Sequence, residues 1–377
     1  MGISGIYMKY LKKIGSLTLC ALLGAGVGMI TAKYGADLIA DINISTPIGI
    51  GIFFLSIAPG LFFAVLVHEM GHLFFGVKSG LKPVALMVGP FDWEFSPGKK
   101  WPKLKLLKGF QGGITICLPP HSANLKRSLA YYVAGGPIAS FMLALFCILA
   151  LLTIKGWPMI FFGFTAFISL LLGLFNLYPN RVFGMYTDGA RLLAIFQGGK
   201  RFKEMNAQFQ LSAYLHIEES PDSWPQDLVE TLLNAETLSP EWRAGHYYRY
   251  MQARFANDWA AAKEHLSLAS KELCDMPQAI KNSYIKEGAL LCALMDGDIA
   301  GAAKTLRETG KSLMTQAHTL SIYSAIQHMN EENYNAAAQA LDKAEFEARD
   351  TMFKGLISLA LQDIRLLRAQ LNKQDVA

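Results

Sequence analysis

Residues 65–76 read V-L-V-H-E-M-G-H-L-F-F-G and close a long apolar run. An unpartnered charged side chain at hydrocarbon depth costs about 2.5–3.5 kcal/mol on insertion scales, so polar residues there need a purpose. Their spacing supplies one. Four residues apart on a helix, His68 and His72 share a face and can share a metal ion. Glu69 projects beside them, placed to take a proton from metal-bound water. One catalytic Zn2+ suits this set. It accepts two imidazoles and a carboxylate, keeps a fourth position for water and lowers the pKa of that water toward neutrality. The product is a hydroxide able to attack an amide carbonyl. The plainer reading, two histidines near an interface reaching for water, explains neither the glutamate nor the neighbouring Gly71, which favours close helix packing.

Two ligands do not make a catalytic centre. The best third is Asp188, in F-N-L-Y-P-N-R-V-F-G-M-Y-T-D-G-A-R-L, just beyond the last apolar run and on the same side as the histidines. Asp188 also suits the N-cap of a helix over 189–197, and the two roles are compatible. Asp92 and Glu94 are the reserve candidates, whereas Asp37 and Asp41 fall on the opposite face of the membrane.

The elements that carry these residues are membrane spans. Four segments, 14–39, 47–76, 128–154 and 157–178, are apolar and long enough to cross a bilayer, in a chain that is 52% apolar and only 17% charged. Lys9, Lys12 and Lys13 before the first run resemble the start of a cleaved signal. That run is long enough to span, however, and Lys33 follows it rather than a small-residue cleavage site. Gly24, Gly26 and Gly28 within it read as helix-packing glycines, not a nucleotide loop. Lysines and arginines crowd the N-terminus, the loop 77–127 and the stretch after 178. The positive-inside rule then puts both termini and that loop in the cytoplasm, and a prokaryotic plasma membrane is the expected location. Five cysteines without a C-x-x-C pair fit a reducing compartment. A net charge of +5 with no finger, basic-zipper or RNP pattern excludes nucleic acid as a partner.

The basic loop contains two strand-like segments, 84–95 and 112–119, bounded by Pro and Gly, although a solvated loop against anionic headgroups fits its composition too. Beyond residue 200 the chain turns polar, helical and alanine-rich. D-W-A-A-A-K-E-H-L (258–266), D-I-A-G-A-A-K-T-L (298–306) and N-Y-N-A-A-A-Q-A-L (333–341) each follow a longer amphipathic helix (242–256, 279–295, 316–331). Their offsets approach the period of roughly 34 residues typical of tetratricopeptide repeats. The expected architecture is an all-α polytopic membrane protein with about four transmembrane helices and a small membrane-associated β element over 1–199. A soluble tetratricopeptide-like helical domain follows over 200–377, a surface for a protein partner or a dimer.

His-Glu-Met-Gly-His at the end of one span, with Asn176, Pro179, Asp188 and Gly189 at the end of a later one, resembles the site-2 protease family of intramembrane zinc metalloproteases. A-G-G-P (134–137) is similar to the small-residue segment of that family, and the likeness covers about residues 50–195. It implies His68, His72 and Asp188 as zinc ligands, Glu69 as catalytic base and Asn176 as a holder of substrate backbone. The implied function is hydrolysis of transmembrane peptides near the cytoplasmic leaflet, for regulated intramembrane proteolysis or clearance of signal-peptide remnants. A substrate helix must unwind first. The segment 112–119, with Gly113, Ile114 and Thr115 at its centre, offers an edge for the unwound strand. One departure stands out: eight residues separate Pro179 from Asp188, where the family has about four. Two rivals remain. A CAAX-type membrane metalloprotease would need a distant glutamate ligand and more spans. A catalytically silent scaffold would have no use for Glu69.

Overall fold

The computed structural model describes residues 47–95, 101–119, 125–182, 185–217, 219–273, 276–312, 315–351 and 353–374. The expected span 14–39, with Asp37 and Asp41, lies outside them. The chain divides into two compact units, Met1–Val67 with Ser140–Leu172, and His68–Ala139 with Gly173–Ala377.

Among the described residues three helices are long and apolar enough to cross a membrane. They are α1 (Pro47–Lys78), α2 (Leu125–Ala150) and α3 (Pro158–Leu177). In the first unit Phe63 meets Phe161 edge to face with ring centres 5.9 Å apart, and Gly60 lies close against Phe164 and Thr165. Phe54, Leu55, Leu145 and Phe146 stand exposed, an arrangement that suits hydrocarbon rather than water.

In the second unit β1 (Lys82–Glu94) and β2 (Lys103–Leu118) form one antiparallel hairpin. The first agrees with the strand read over 84–95 to within two residues; the second is longer than the one read over 112–119. β2 starts nine residues earlier than expected, because Lys103 and Lys105 alternate with Leu104 and Leu106 in the period of a strand. The two residues of β3 (Arg181–Val182) pair with those of β4 (Met185–Tyr186). Then come α4 (Asp188–Gln197), α5 (Gly199–Tyr214) and α6 (Gln226–Leu233).

Three helix pairs follow: α7 (Pro240–Phe255) with α8 (Trp259–Ala269), α9 (Gln278–Asp296) with α10 (Ile299–Glu308), and α11 (Ala317–Asn330) with α12 (Tyr334–Arg349). α13 (Ile357–Gln374) closes the array. The repeated D/N-x-x-x-A segments have one physical meaning. Asp258, Asp298 and Asn333 each cap a second helix by accepting from the backbone N–H three residues on. The residue before each cap, Asn257, Gly297 or Glu332, takes a left-handed conformation that turns the chain. Four and eight residues after each cap, Ala262, Ala302 and Ala337 and then Leu266, Leu306 and Leu341 are buried. Small residues admit the neighbouring helix and leucines fill the core behind it, the second and third pairs around Leu290, Ile326 and Leu367 and the first around Leu232 and Tyr250.

Candidate metal centre

α1 carries His68 and His72 on one face, four residues apart, 5% and 7% exposed. α2 approaches this face because both helices present glycine. A Cβ on Gly71 would meet the Gly135 carbonyl at 2.3 Å, and one on Gly135 would meet the Gly71 carbonyl at 2.4 Å. Gly136 lies under the imidazoles, where a Cβ would meet His72 Nε2 at 2.3 Å. The Tyr132 carbonyl, one turn earlier on α2, accepts from His72 Nδ1 at 2.8 Å. That bond fixes the tautomer and leaves the Nε2 lone pair free for a metal.

The longer spacing between Pro179 and Asp188 folds into the β3–β4 hairpin, which returns the aspartate to the histidines. The Thr187 amide donates to the Asn180 carbonyl at 3.1 Å, closing the hairpin. Gly189 packs so tightly on the Leu177 carbonyl that a Cβ would lie 1.7 Å from it, so only glycine fits beside Asp188. Arg181 hydrogen-bonds the Tyr186 hydroxyl and pairs with Glu241 of α7 at 3.4 Å. Thr187, not Asp188, is the N-cap of α4. The capping role considered for Asp188 is therefore taken, and its carboxylate is free for the imidazoles.

Asp188 Oδ2 lies 3.4 Å from His68 Nε2 and 3.3 Å from His72 Nε2. One ligand atom from each residue falls within 4.8 Å of the others, so the group is able to hold a metal ion. Ligands about 2.1 Å from a tetrahedral ion lie about 3.4 Å from one another, so these separations fit. Oδ2 is also a buried oxygen that meets no hydrogen-bond donor, as expected where a cation supplies the missing partner. Burial alone would raise the Asp188 carboxyl; the facing imidazoles overturn this and hold it well below the usual carboxylate range. The reserve candidates Asp92 and Glu94 sit on β1 and are not part of this group.

Glu69 is held separately, 8% exposed. The Thr115 hydroxyl lies 2.7 Å from Glu69 Oε2 and 2.9 Å from the Glu69 carbonyl, and its single proton serves one of them at a time. The Tyr132 hydroxyl donates to the Thr115 carbonyl at 2.6 Å, tying β2 to α2. Thr115, expected at a substrate edge, turns its side chain toward the glutamate. Gly113 and Ile114 pair with Val88 and Met87 of β1, and the far edge of β2 has no strand neighbour among the described residues. Asn176 lies half-buried near the end of α3. Sequence reasoning missed Tyr132, whose contacts come from residues 17 and 60 positions away. The glycines of A-G-G-P were the only hint of Gly136.

Compared with protein-family models, curated proteins and solved structures, the chain matches none of them.

Proposed function

We propose that the chain is an intramembrane zinc metalloprotease of the site-2 type, cutting transmembrane peptides near the cytoplasmic leaflet. The observation that carries this reading is the convergence of His68, His72 and Asp188 beside a glutamate that is not part of the ligand group. His68, His72 and Asp188 would hold the ion, and when bound it supplies Lewis acidity and a water that is nucleophilic near neutral pH. Glu69 takes the proton of the attacking water as the O–H bond breaks, and returns it to the amide nitrogen as the C–N bond breaks. Thr115 holds Glu69 in place during both transfers. The open edge of β2 at Gly113 and Ile114 receives the unwound substrate as an added strand, and Asn176 steadies its backbone. A fourth span over 14–39 keeps both termini in the cytoplasm, and the helix pairs form a tetratricopeptide-like array.

The test compares membrane peptides in cells carrying wild-type and Glu69→Gln protein, alongside zinc content. The expected result is peptides that accumulate only with the variant, at unchanged zinc. Identical peptide profiles would favour a scaffold. Normal zinc uptake by Asp188→Ala would point to a CAAX-type centre with a glutamate ligand elsewhere.

A further inference from the structure

A groove of about 620 Å³ lies between the β1–β2 hairpin and helices α11 and α12. Its lining holds four carboxylates, Asp92, Glu94, Glu347 and Asp350, against two lysines, Lys105 and Lys343, the latter 3.9 Å from Glu347 Oε1. Lys103 reaches Asp350 from the rim at 3.5 Å. With Lys103 counted, the acids still outnumber the lysines by one, in a chain of net charge +5. Asp92 is 2% exposed and its Oδ1 meets no hydrogen-bond donor, a buried acceptor whose partner is missing.

The groove already accepts one ammonium, its own. Lys105 Nζ lies 2.9 Å from Glu94 Oε1, 3.7 Å from Asp350 Oδ1 and 3.4 Å from the Asp350 carbonyl. Apolar side chains line it as well, Leu106, Leu320 and Phe346 being 73%, 53% and 77% exposed. At Thr315, Gln316 and His318 it adjoins a second cavity of about 350 Å³ inside the helix array. Tyr247, Tyr284 and Tyr323 line that cavity together with Arg254, which pairs with Glu287 at 2.9 Å. Lys286 Nζ lies 5.9 Å from the centre of the Tyr323 ring.

We propose that this acidic, partly apolar groove binds an extended basic peptide, the lysine- and arginine-rich cytoplasmic flank of a transmembrane substrate. The assignment of that peptide as substrate rests on the proteolytic reading above; the binding itself does not. Membrane spans carry an excess of Lys and Arg on their cytoplasmic side. A groove built on the hairpin that bears Thr115 is therefore met by positive charge whenever a span enters the centre. Apolar side chains take the alkyl stems while carboxylates take the heads. The array thereby selects substrates by the charge beside the span rather than by the span itself.

Fluorescence anisotropy on the full chain in neutral detergent tests this with a labelled octapeptide of alternating leucine and arginine, and the same peptide with citrulline for arginine. Saturable binding of the arginine peptide is expected, weakened roughly tenfold or more by citrulline and by the double variant Glu347→Gln, Asp350→Asn. A melting curve like that of wild type shows the variant folded. Equal binding of both peptides, unchanged binding to the double variant, or no saturable binding would each overturn the groove. Glu69→Gln must bind the arginine peptide as wild type does. If that variant still cleaves membrane peptides, the proteolytic reading fails and the groove stands; if wild type cleaves but binds neither peptide, the reverse holds.

Discussion

Two buried polar clusters lie in the second unit, and they are built on opposite principles. In the helix array Arg254, 5% exposed, donates from Nε to Asp363 Oδ1 at 3.1 Å, and from Nη1 to the Tyr250 hydroxyl and Glu287 Oε2 at 2.7 and 2.9 Å. Its Nη2 completes a fork on Asp363. Every strong donor there has found an acceptor. In the candidate metal centre two imidazole nitrogens and Asp188 Oδ2 face one another with no donor for the oxygen. A closed cluster holds helices together, whereas an open one is completed by something the chain does not supply.

Substitutions in the two clusters should therefore behave differently. The largest effect is expected at the open one. Asp188→Ala should weaken zinc binding by more than about 100-fold, since even outer-shell partners are worth roughly 10–100-fold, while the metal-free chain still folds and melts cooperatively. Equilibrium dialysis with a melting curve reads both. Next, Asp363→Ala strands a buried guanidinium and should cost about 3–5 kcal/mol of stability, with zinc stoichiometry intact below the melting transition. A lost metal site in Asp363→Ala, or a collapsed fold in Asp188→Ala, would erase the distinction.

A smaller effect sharpens it. Thr115→Val keeps shape but removes the hydroxyl from Glu69. The cleavage rate should fall roughly 10–100-fold, the worth of one hydrogen bond to a charged group, with zinc content unchanged and Thr115→Ser restoring most of the rate. The smallest is a pH effect at the groove. Burial pushes the Asp92 carboxyl up to about 6, with Glu94 adding to the shift and Lys105 opposing it. Between the ordinary carboxylate range and about 6 the folded chain then binds more protons than the unfolded one, so stability rises as pH falls through that window. Asp92→Asn should flatten this rise; an unaltered pH–melting profile would remove Asp92 as its source.

Much of the fold was legible because its signals are local. Apolar length marks a candidate span, and three of the expected runs are helices within a few residues of their expected limits. The Asp and Asn caps with alanine one turn on made the helix pairs readable, since cap and packing face lie within nine residues. The hairpin was read less well. The strand signal in K-L-K-L is only four residues long and was masked by its own charge. At the centre, spacing alone aligned His68 with His72, but nothing local shows that Thr187 takes the cap and frees Asp188.

Sequence by itself determined what the residues at 68, 69 and 72 share, because a helix imposes its period on every side chain it carries. It also determined where apolar helices run and where polar ones pair. Tertiary structure alone decided that a two-strand turn brings Asp188 back to both histidines, that Thr115 faces Glu69, and that four carboxylates meet in one groove. Those contacts join residues 46 to more than 200 positions apart. Chain closure over such distances is settled by packing of whole elements, which no local pattern encodes.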